Sequence, residues 1–176
     1  MTENILFADY TSRGREAALR GLGALDAAHD EGSLKLREAR VISRDTEGDV
    51  DVPGEVDHTH ASARFAVGGV VGALVGLLGG PVGVMIGFGA GGLIGGAQDA
   101  RRVTETNAAL EELTSEVPPG STVLVAEVDE DTTEAADRAL GPDVHRYLAS
   151  KVREDLEHAL NAPDGTGRGD GQPPTR

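Results

Sequence analysis

A repeated pattern of apolar and polar positions divides the chain into two similar parts. Residues 5–22 align without gaps on residues 123–140, and seven of the 18 aligned positions are identical. In each copy a short apolar run rich in strand formers passes through Ser, Thr or Asp, which favour a helix N-terminus, into an Ala-rich run. The pattern therefore predicts two β-α-β units.

The elements that complete each unit follow from the turn signals. The first copy predicts a helix over about residues 13–30 and a strand near residues 36–44. The second copy predicts a shorter helix that ends at Gly141, a strand over residues 144–148, and a final helix that Ser150 caps. Placed side by side, the units make an antiparallel four-stranded sheet with two helices on one face. We therefore predict an α+β, ferredoxin-like fold with an extra C-terminal helix.

Between the two units lies an uncharged, glycine-rich stretch. Residues 65–98 contain no Asp, Glu, Lys, Arg or His. Proline removes a backbone donor and clashes with the preceding helical turn, so Gly-Gly-Pro at residues 79–81 predicts a break. The expected hairpin has arms at residues 65–78 and 82–98, about 21 and 26 Å long at 1.5 Å per residue. Each arm is shorter than a hydrocarbon core of about 30 Å.

The glycines of the two arms recur every four residues, which places each set along one helical face. Without side chains there, two backbones can approach closely, as in small-xxx-small packing. Because glycine costs about 1 kcal/mol relative to alanine in a helix, such arms need close packing or lipid. The glycine zipper that we predict for hairpin packing and homo-oligomer contacts consists of Gly68, Gly72, Gly76, Gly80, Gly83, Gly87, Gly91 and Gly95.

Basic residues flank the open ends of the predicted hairpin. Arg64, Arg101 and Arg102 fit a hairpin with both ends at the cytoplasmic face of a membrane. The second arm is expected to continue as a helix to about Glu116. The predicted organisation is an α+β domain over residues 1–57 and 99–162, the inserted hairpin over residues 58–98, and a disordered tail over residues 163–176.

Three segments together resemble a known family: the opening strand at residues 5–10, the glycine-rich stretch at residues 68–96 and the closing strand at residues 122–128. The chain resembles an uncharacterised prokaryotic family described as predicted membrane proteins of unknown function, over roughly residues 3–148. The resemblance implies a ferredoxin-like frame with a glycine-rich insertion. It implies no activity and transfers no catalytic residue to this chain.

The charge balance narrows the possible partners. Sixteen Lys and Arg stand against 30 Asp and Glu, which gives a net charge of −14, and aromatic residues make up only 3% of the chain. An acidic chain with few aromatic rings is a poor partner for nucleic acid.

The absence of cysteine excludes disulfides and thiolate metal sites. No secretory signal pattern opens the sequence, so we expect a cytoplasmic protein. A position at the cytoplasmic face of a membrane is compatible with this expectation.

The motifs that carry chemistry in other proteins are weak here. Residues 87–92 match G-x-G-x-x-G, but they precede a charged, helix-patterned segment and also fit the glycine zipper, so we predict no dinucleotide cofactor. No catalytic signature is found. Asp9 and Glu127 occupy equivalent positions in the repeat, and we interpret them as strand-terminal caps. The sequence therefore predicts a protein that is not an enzyme.

Two segments could bind an ion. His58 and His60 lie two residues apart and could begin a metal site, but no third ligand is evident, and a solvated linker is the preferred interpretation. These histidines could also make assembly depend on pH. The acidic residues 45–57 resemble the start of a calcium loop, yet Val50 and Val56 stand where the loop needs glycine and an acid. We therefore predict no metal ligands.

Taken together, these features predict a non-enzymatic protein that self-assembles: an α+β frame whose glycine-zipper hairpins associate in or on a membrane. The alternative is a soluble homo-oligomer, such as a scaffold or stress-associated particle, with the hairpins buried in its own core. A second alternative is a small-molecule or cofactor binder that uses the groove between sheet and hairpin. A pore is disfavoured because each arm is short and contains no ionisable residue.

Overall fold

The computed structural model describes residues 1–59, 69–88 and 108–160. The described residues form a mixed α+β structure with one antiparallel five-stranded sheet and five helices, which confirms the predicted α+β class. In chain order the elements are β1 (Thr2–Asp9), α1 (Arg15–Asp30), β2 (Lys35–Arg44), β3 (Val50–Asp57), α2 (Gly69–Phe88), α3 (Ala108–Ser115), β4 (Thr122–Glu130), α4 (Glu134–Leu140), β5 (Val144–Leu148) and α5 (Ala149–Leu160).

The strand order in the sheet is β3-β2-β4-β1-β5, and neighbouring strands are antiparallel. β4 lies at the centre, where it pairs with β1 on one side and β2 on the other. The register places Glu127 opposite Ile5 in β1 and opposite Glu38 in β2. A bulge between Leu36 and Glu38 shifts the pairing of β2 with β4, which re-aims the side chains at that end of β2.

Helices cover both faces of the sheet. α1 and α4 pack on one face through a core that includes Leu6, Leu25 and Leu140. α2, α3 and α5 pack on the other face, which we call the α2 side, through a core that includes Leu74 and Leu156. The apolar alternation of β1 and β4 serves both cores, because successive side chains of a strand point to opposite faces. Within the described residues, no helix combines the length and apolar character needed to cross a membrane.

The acidic segment at residues 45–57 forms a turn and the edge strand β3, a strand that the sequence analysis did not predict. The Asp45 carboxylate accepts a hydrogen bond from the Asp49 backbone N–H at 2.8 Å, which closes the turn. Val50 and Val52 then contact the α2-side core while the intervening Asp51 is exposed. The Val-Asp-Val alternation was therefore a strand signal that the high charge of the segment concealed.

The expected break at residues 79–81 is wrong. α2 is one helix from Gly69 to Phe88 and passes through Gly79, Gly80 and Pro81. A proline inside a helix costs about 3 kcal/mol, but burial of a single large apolar side chain contributes about 1.5–3 kcal/mol, and the first half of α2 buries several. Residues 89–98, the remainder of the predicted second arm, lie outside the described residues.

Candidate functional site: the base of the glycine-rich helix

The first half of α2 is enclosed by the protein's own core. Val70, Val71, Ala73, Leu74 and Val75 are each at most 2% exposed. Positions this close in sequence point in all directions around a helix, so the helix is surrounded on every side over this stretch. The side chains of the sheet that line this core, which we call the apolar end of the α2 side, are Ile5, Phe7, Ile42, Val123 and Val125.

Two of the predicted zipper glycines are buried inside the domain. Gly72 and Gly76 lie on the enclosed stretch of α2 and are buried. Gly79 is half-buried, and a Cβ added there would lie 3.4 Å from the Cβ of Val50 in β3. Gly80, Gly83 and Gly87 lie on α2. The predicted residues outside the described part of the chain are Gly68, Gly91, Gly95, Arg64, Arg101 and Arg102. An oligomer contact through the glycines remains a prediction.

A buried carboxylate binds the N-terminus of α2. Glu38 of β2 is 2% exposed, and its Oε1 accepts a hydrogen bond from the Val71 backbone N–H at 2.9 Å. The first N–H groups of a helix have no partner within the helix and carry a partial positive charge, so a carboxylate satisfies both needs. Gly69 has φ +54°, and a Cβ at this position would overlap Glu38. Glycine at position 69 therefore permits the close approach of carboxylate and helix.

Three carboxylates lie side by side across the sheet beneath this helix. In the register, Glu38 stands opposite Asp57 of β3 on one side and Glu127 of β4 on the other. Burial raises the pKa of Glu38 to about 7, and the charge of Glu127 adds to the effect, whereas the Val71 N–H and Arg40 oppose it. Glu38 thus titrates near neutral pH in the folded protein.

Glu127 belongs to an ion-pair network that joins three strands to α5. Arg153 of α5 makes a bidentate contact with Glu3, with hydrogen bonds of 2.7 and 2.5 Å, and also donates to Glu127. Arg37 of β2 donates to Glu3 and lies 3.6 Å from Glu127. Pairing with Arg153 lowers the pKa of Glu3 to about 2, whereas burial raises the pKa of Glu127. We call Glu3, Arg37, Glu38, Glu127 and Arg153 the charged end of the α2 side.

A family model described as a protein of unknown function, DUF1269, matches residues 66–163, more than half of the chain. The chain belongs to the DUF1269 family. Comparisons with curated proteins and with solved structures found no match. The DUF1269 match includes α2 and α5 and begins after β3, so Glu127 and Arg153 lie inside it and Glu38 lies outside it. Membership agrees with the expectation of an uncharacterised family, and association with a membrane remains a prediction.

In this DUF1269 protein the repeat does not place Asp9 and Glu127 in equivalent surroundings. The Asp9 carboxylate accepts a hydrogen bond from the Thr11 backbone N–H at 2.7 Å and is exposed at the end of β1, as a cap should be. Glu127 lies in the middle of β4 and is 4% exposed, so its interpretation as a cap is wrong. β4 continues past the repeat's strand end to Glu130, which places this carboxylate inside the sheet.

Of the two neighbouring histidines that the sequence singled out, only His58 lies within the described residues. His58 lies at the end of β3, where its Nε2 contacts the Asp26 Oδ1 at 2.7 Å and its ring stacks on His29. His60 lies outside the described residues. Within the described residues, no three His, Asp or Glu side chains are arranged to hold a metal ion. The proximity of His29 and Asp26 to His58 could not be predicted from the sequence, because it depends on how α1 packs against β3.

Proposed function

We propose that this DUF1269 protein is non-enzymatic and self-assembles through its glycine-rich helix. The observation that carries the proposal is the course of α2: its first half is enclosed by the domain, and the helix then continues to Phe88 through a stretch of sequence without charge. The uncharged sequence extends to Gln98. Such a segment needs apolar surroundings, which copies of the same segment can supply.

The frame around α2 supports a ferredoxin-like arrangement, which is part of the proposal. β2, β4, β1 and β5 are adjacent in that order, and each β-α-β unit contributes two of them. α1 and α4 lie together on one face, as two crossover helices of such a fold would. In this interpretation β3 is an added edge strand, and the glycine-rich segment is inserted between β3 and β4.

Burial of α2 in its own domain favours protein over lipid as the surroundings of the glycine-rich segment. Glu38 and Gly69 fix the N-terminus of α2 to the sheet, and residues 70–78 supply much of the α2-side core. A hairpin free to enter a bilayer would have to leave that core, at a cost of several large apolar contacts. We therefore place the soluble homo-oligomer ahead of the membrane-associated assembly, and we expect it in the cytoplasm.

The test measures the mass of the assembly and its dependence on the glycines beyond the core. The intact chain is produced without detergent, divided into soluble and membrane pools, and sized by light scattering. Gly83→Leu and Gly87→Leu should reduce the mass, because a side chain on the proposed contact face keeps backbones apart. The matched control is Gly23→Leu, since Gly23 is an exposed helical glycine of α1 with no atom within 4 Å of an added Cβ.

The outcomes separate the proposals. A soluble assembly whose mass falls in both α2 variants and not in the control supports self-assembly through the glycine-rich helix. A soluble monomer contradicts self-assembly. Recovery only in the membrane pool, with release by detergent and not by salt, contradicts the soluble arrangement and supports the membrane-associated one.

A further inference from the structure

The N-terminus of α2 is attached to the sheet through a carboxyl group that has no ion pair. Glu38 is buried, and its Oε1 accepts the Val71 N–H. Glu127, the neighbour of Glu38 in β4, is also buried, but it contacts Arg153. No Lys or Arg of the described residues pairs with Glu38 in this way. A negative charge on Glu38 is therefore compensated by a helix N–H rather than by a cation.

A cation lies on the same face of the sheet but is bonded elsewhere. Glu38 and Arg40 are two positions apart in β2, within a stretch that pairs continuously with β4, so their side chains point to the same face. The Nε of Arg40 lies 3.4 Å from the Glu55 carboxylate, and its Nη1 is buried without a hydrogen-bond partner in the described part of the chain. Both side chains are buried on the face where α2 packs against β2, so an ion pair between them requires α2 to lift.

The surroundings of Glu38 oppose its ionisation while α2 is docked. Glu127 of β4 and Asp57 of β3 stand opposite Glu38 in the register. Burial and these two carboxylates raise the pKa of Glu38 to about 7, while the Val71 N–H and Arg40 act in the other direction. α2 adds no compensating cation, since this helix contains no charged residue. Loss of the proton from Glu38 therefore weakens the attachment of α2.

The backbone at the start of α2 can take up a movement of the helix. Gly69 has φ +54°, a conformation that residues with a side chain rarely adopt, and a Cβ there would overlap the Glu38 carboxylate. Glycine changes φ and ψ at little steric cost, and hinges form at the ends of helices and strands. Gly69 therefore permits both the close contact with Glu38 and the freedom of α2 to lift.

We propose that Glu38 makes the docking of α2 sensitive to pH. Protonated Glu38 holds residues 69–78 on the sheet. Loss of its proton to water raises the fraction of molecules in which this segment is detached, with Gly69 as the hinge. In the detached state Glu38 is hydrated and free to pair with Arg40. The two states belong to a single chain, so the proposal does not depend on self-assembly.

The direction of the pH dependence follows from the protonation of Glu38 in the two states. Docked Glu38 holds its proton up to about pH 7, whereas exposed Glu38 loses it near pH 4.5. Docking is therefore strongest below about pH 4.5 and weakens as the pH rises through about 7. Between pH 6 and pH 8 these two values correspond to an increase of about tenfold in the equilibrium constant for detachment.

The reactivity of a thiol placed on α2 measures the detached fraction. The chain has no cysteine, so Ala73→Cys, at a position of α2 that is 2% exposed, creates a single buried thiol. Ala18→Cys, at a buried position of α1 in the opposite core, is the control that separates detachment of α2 from unfolding of the whole domain. The rate of reaction with an aromatic disulfide is measured at about pH 6 and pH 8. Because thiols react faster as the pH rises, each rate is compared with that of the same protein carrying Glu38→Gln at the same pH.

We expect the thiol at position 73 to react several-fold faster at pH 8 than the thiol at position 18. Its rate should rise between pH 6 and pH 8 by about tenfold more with Glu38 than with Glu38→Gln. Equal rates at the two positions would show unfolding of the whole domain, and an unchanged pH dependence in Glu38→Gln would show that Glu38 does not control docking. Either result would overturn the proposal.

A second variant tests the contact itself and keeps the test decisive if Glu38→Gln fails to fold. Gly69→Ala should increase the rate at position 73 several-fold at pH 6, because the added methyl group displaces the Glu38 carboxylate. Gly32→Ala is the matched control, since Gly32 also has a positive φ, +72°, but an added Cβ there would meet no atom within 4 Å. An equal increase in both variants, or no increase in Gly69→Ala, would contradict the role of the contact in docking.

Discussion

The two ends of the α2 side of the sheet hold the same helix by opposite means. At the apolar end, Phe7, Ile42 and Val125 pack against the enclosed stretch of α2. At the charged end, Glu38 and Glu127 are as deeply buried as those apolar side chains, yet they bind a helix terminus and an arginine. The apolar end stabilises the packing of α2 on the sheet by removing apolar surface from water. The charged end stabilises the same packing only while every buried charge keeps its partner.

The difference teaches that the position of α2 depends on polar contacts as well as on packing. Apolar packing alone tolerates small shifts of a helix along a sheet, because hydrophobic contact is non-directional. The hydrogen bond from the Val71 N–H to the Glu38 carboxylate is directional, and Gly69 allows it because this residue has no side chain to collide with Glu38. Together these two features fix the start of α2 at one point of the sheet. Predictions that weaken one end and spare the other can therefore separate packing from positioning.

The largest effect is expected at the apolar end. Leu74→Ala removes a side chain that is 2% exposed in the middle of the α2-side core, and such truncations cost about 2–5 kcal/mol. Chemical denaturation should show this loss in the free energy of unfolding. Leu148→Ala is the control, because Leu148 is 56% exposed and its truncation should cost less than about 1 kcal/mol. Similar losses in both variants would contradict the assignment of Leu74 to the core.

A pH-dependent effect is expected from Glu38. Its pKa is raised from about 4.5 in the unfolded chain to about 7 in the folded protein, so the folded state binds the proton more tightly. The stability from this proton is therefore full below about pH 4.5 and is lost as the pH rises through about 7. The upper limit of the loss is about 3 kcal/mol, because each pKa unit corresponds to about 1.4 kcal/mol.

Glu38→Gln removes this titration and keeps an oxygen that can accept the Val71 N–H. Denaturation at several pH values between about 5 and 8 should show wild type losing stability toward alkaline pH and the variant losing less. Glu127, whose pKa is raised by burial, keeps a residual slope of the same sign in the variant. Identical slopes in the two proteins would show that Glu38 is not the titrating group.

A smaller loss in the free energy of unfolding is expected when Arg153 is removed from the ion-pair network. Arg153→Gln leaves Glu127 buried without its closest cation. Removing one partner of a buried pair costs about 3–5 kcal/mol, and the 25% exposure of the Arg153 side chain reduces this to about 2 kcal/mol. The second change Glu127→Gln should restore part of the stability, because it removes the unpaired charge. A double-mutant cycle measures that coupling, and additive effects would contradict a direct interaction.

The sequence predicted the apolar end well and the charged end poorly, for a physical reason. Ile5, Phe7, Val123 and Val125 alternate along strands that read as half-buried, and the internal repeat marked both strands. Glu38 stands in a strand-forming run where a charge normally indicates the solvent face. Only the bulge beside it and the approach of α2 turn it inward. These are tertiary events that no local pattern contains.

The same limit explains the errors at β3 and α2. Charge concealed the alternation of Val50 and Val52, and Pro81 predicted a break that burial of residues 70–78 overcomes. In both places a local preference of a few kcal/mol was outweighed by packing of comparable or greater size. The stack of His58 on His29 was equally hidden from the sequence, because His29 comes from α1.

The smallest effect should come from Glu3 and has the opposite sign with pH from that of Glu38. Pairing with Arg153 lowers the pKa of Glu3 to about 2, so its contribution is present above about pH 4.5 and is lost as the pH falls toward 2. Glu3 is partly exposed, and solvent screening limits the contribution to about 1 kcal/mol. Glu3→Gln should therefore flatten the acid limb of the stability curve, and it should change the limb between about pH 5 and 8 only slightly, through Glu127, whose pKa the neighbouring Glu3 helps to raise. A main effect of Glu3→Gln on the acid limb and of Glu38→Gln on the other limb would show that neighbouring carboxylates of one charged end titrate according to their partners, and main effects on the same limb would contradict it.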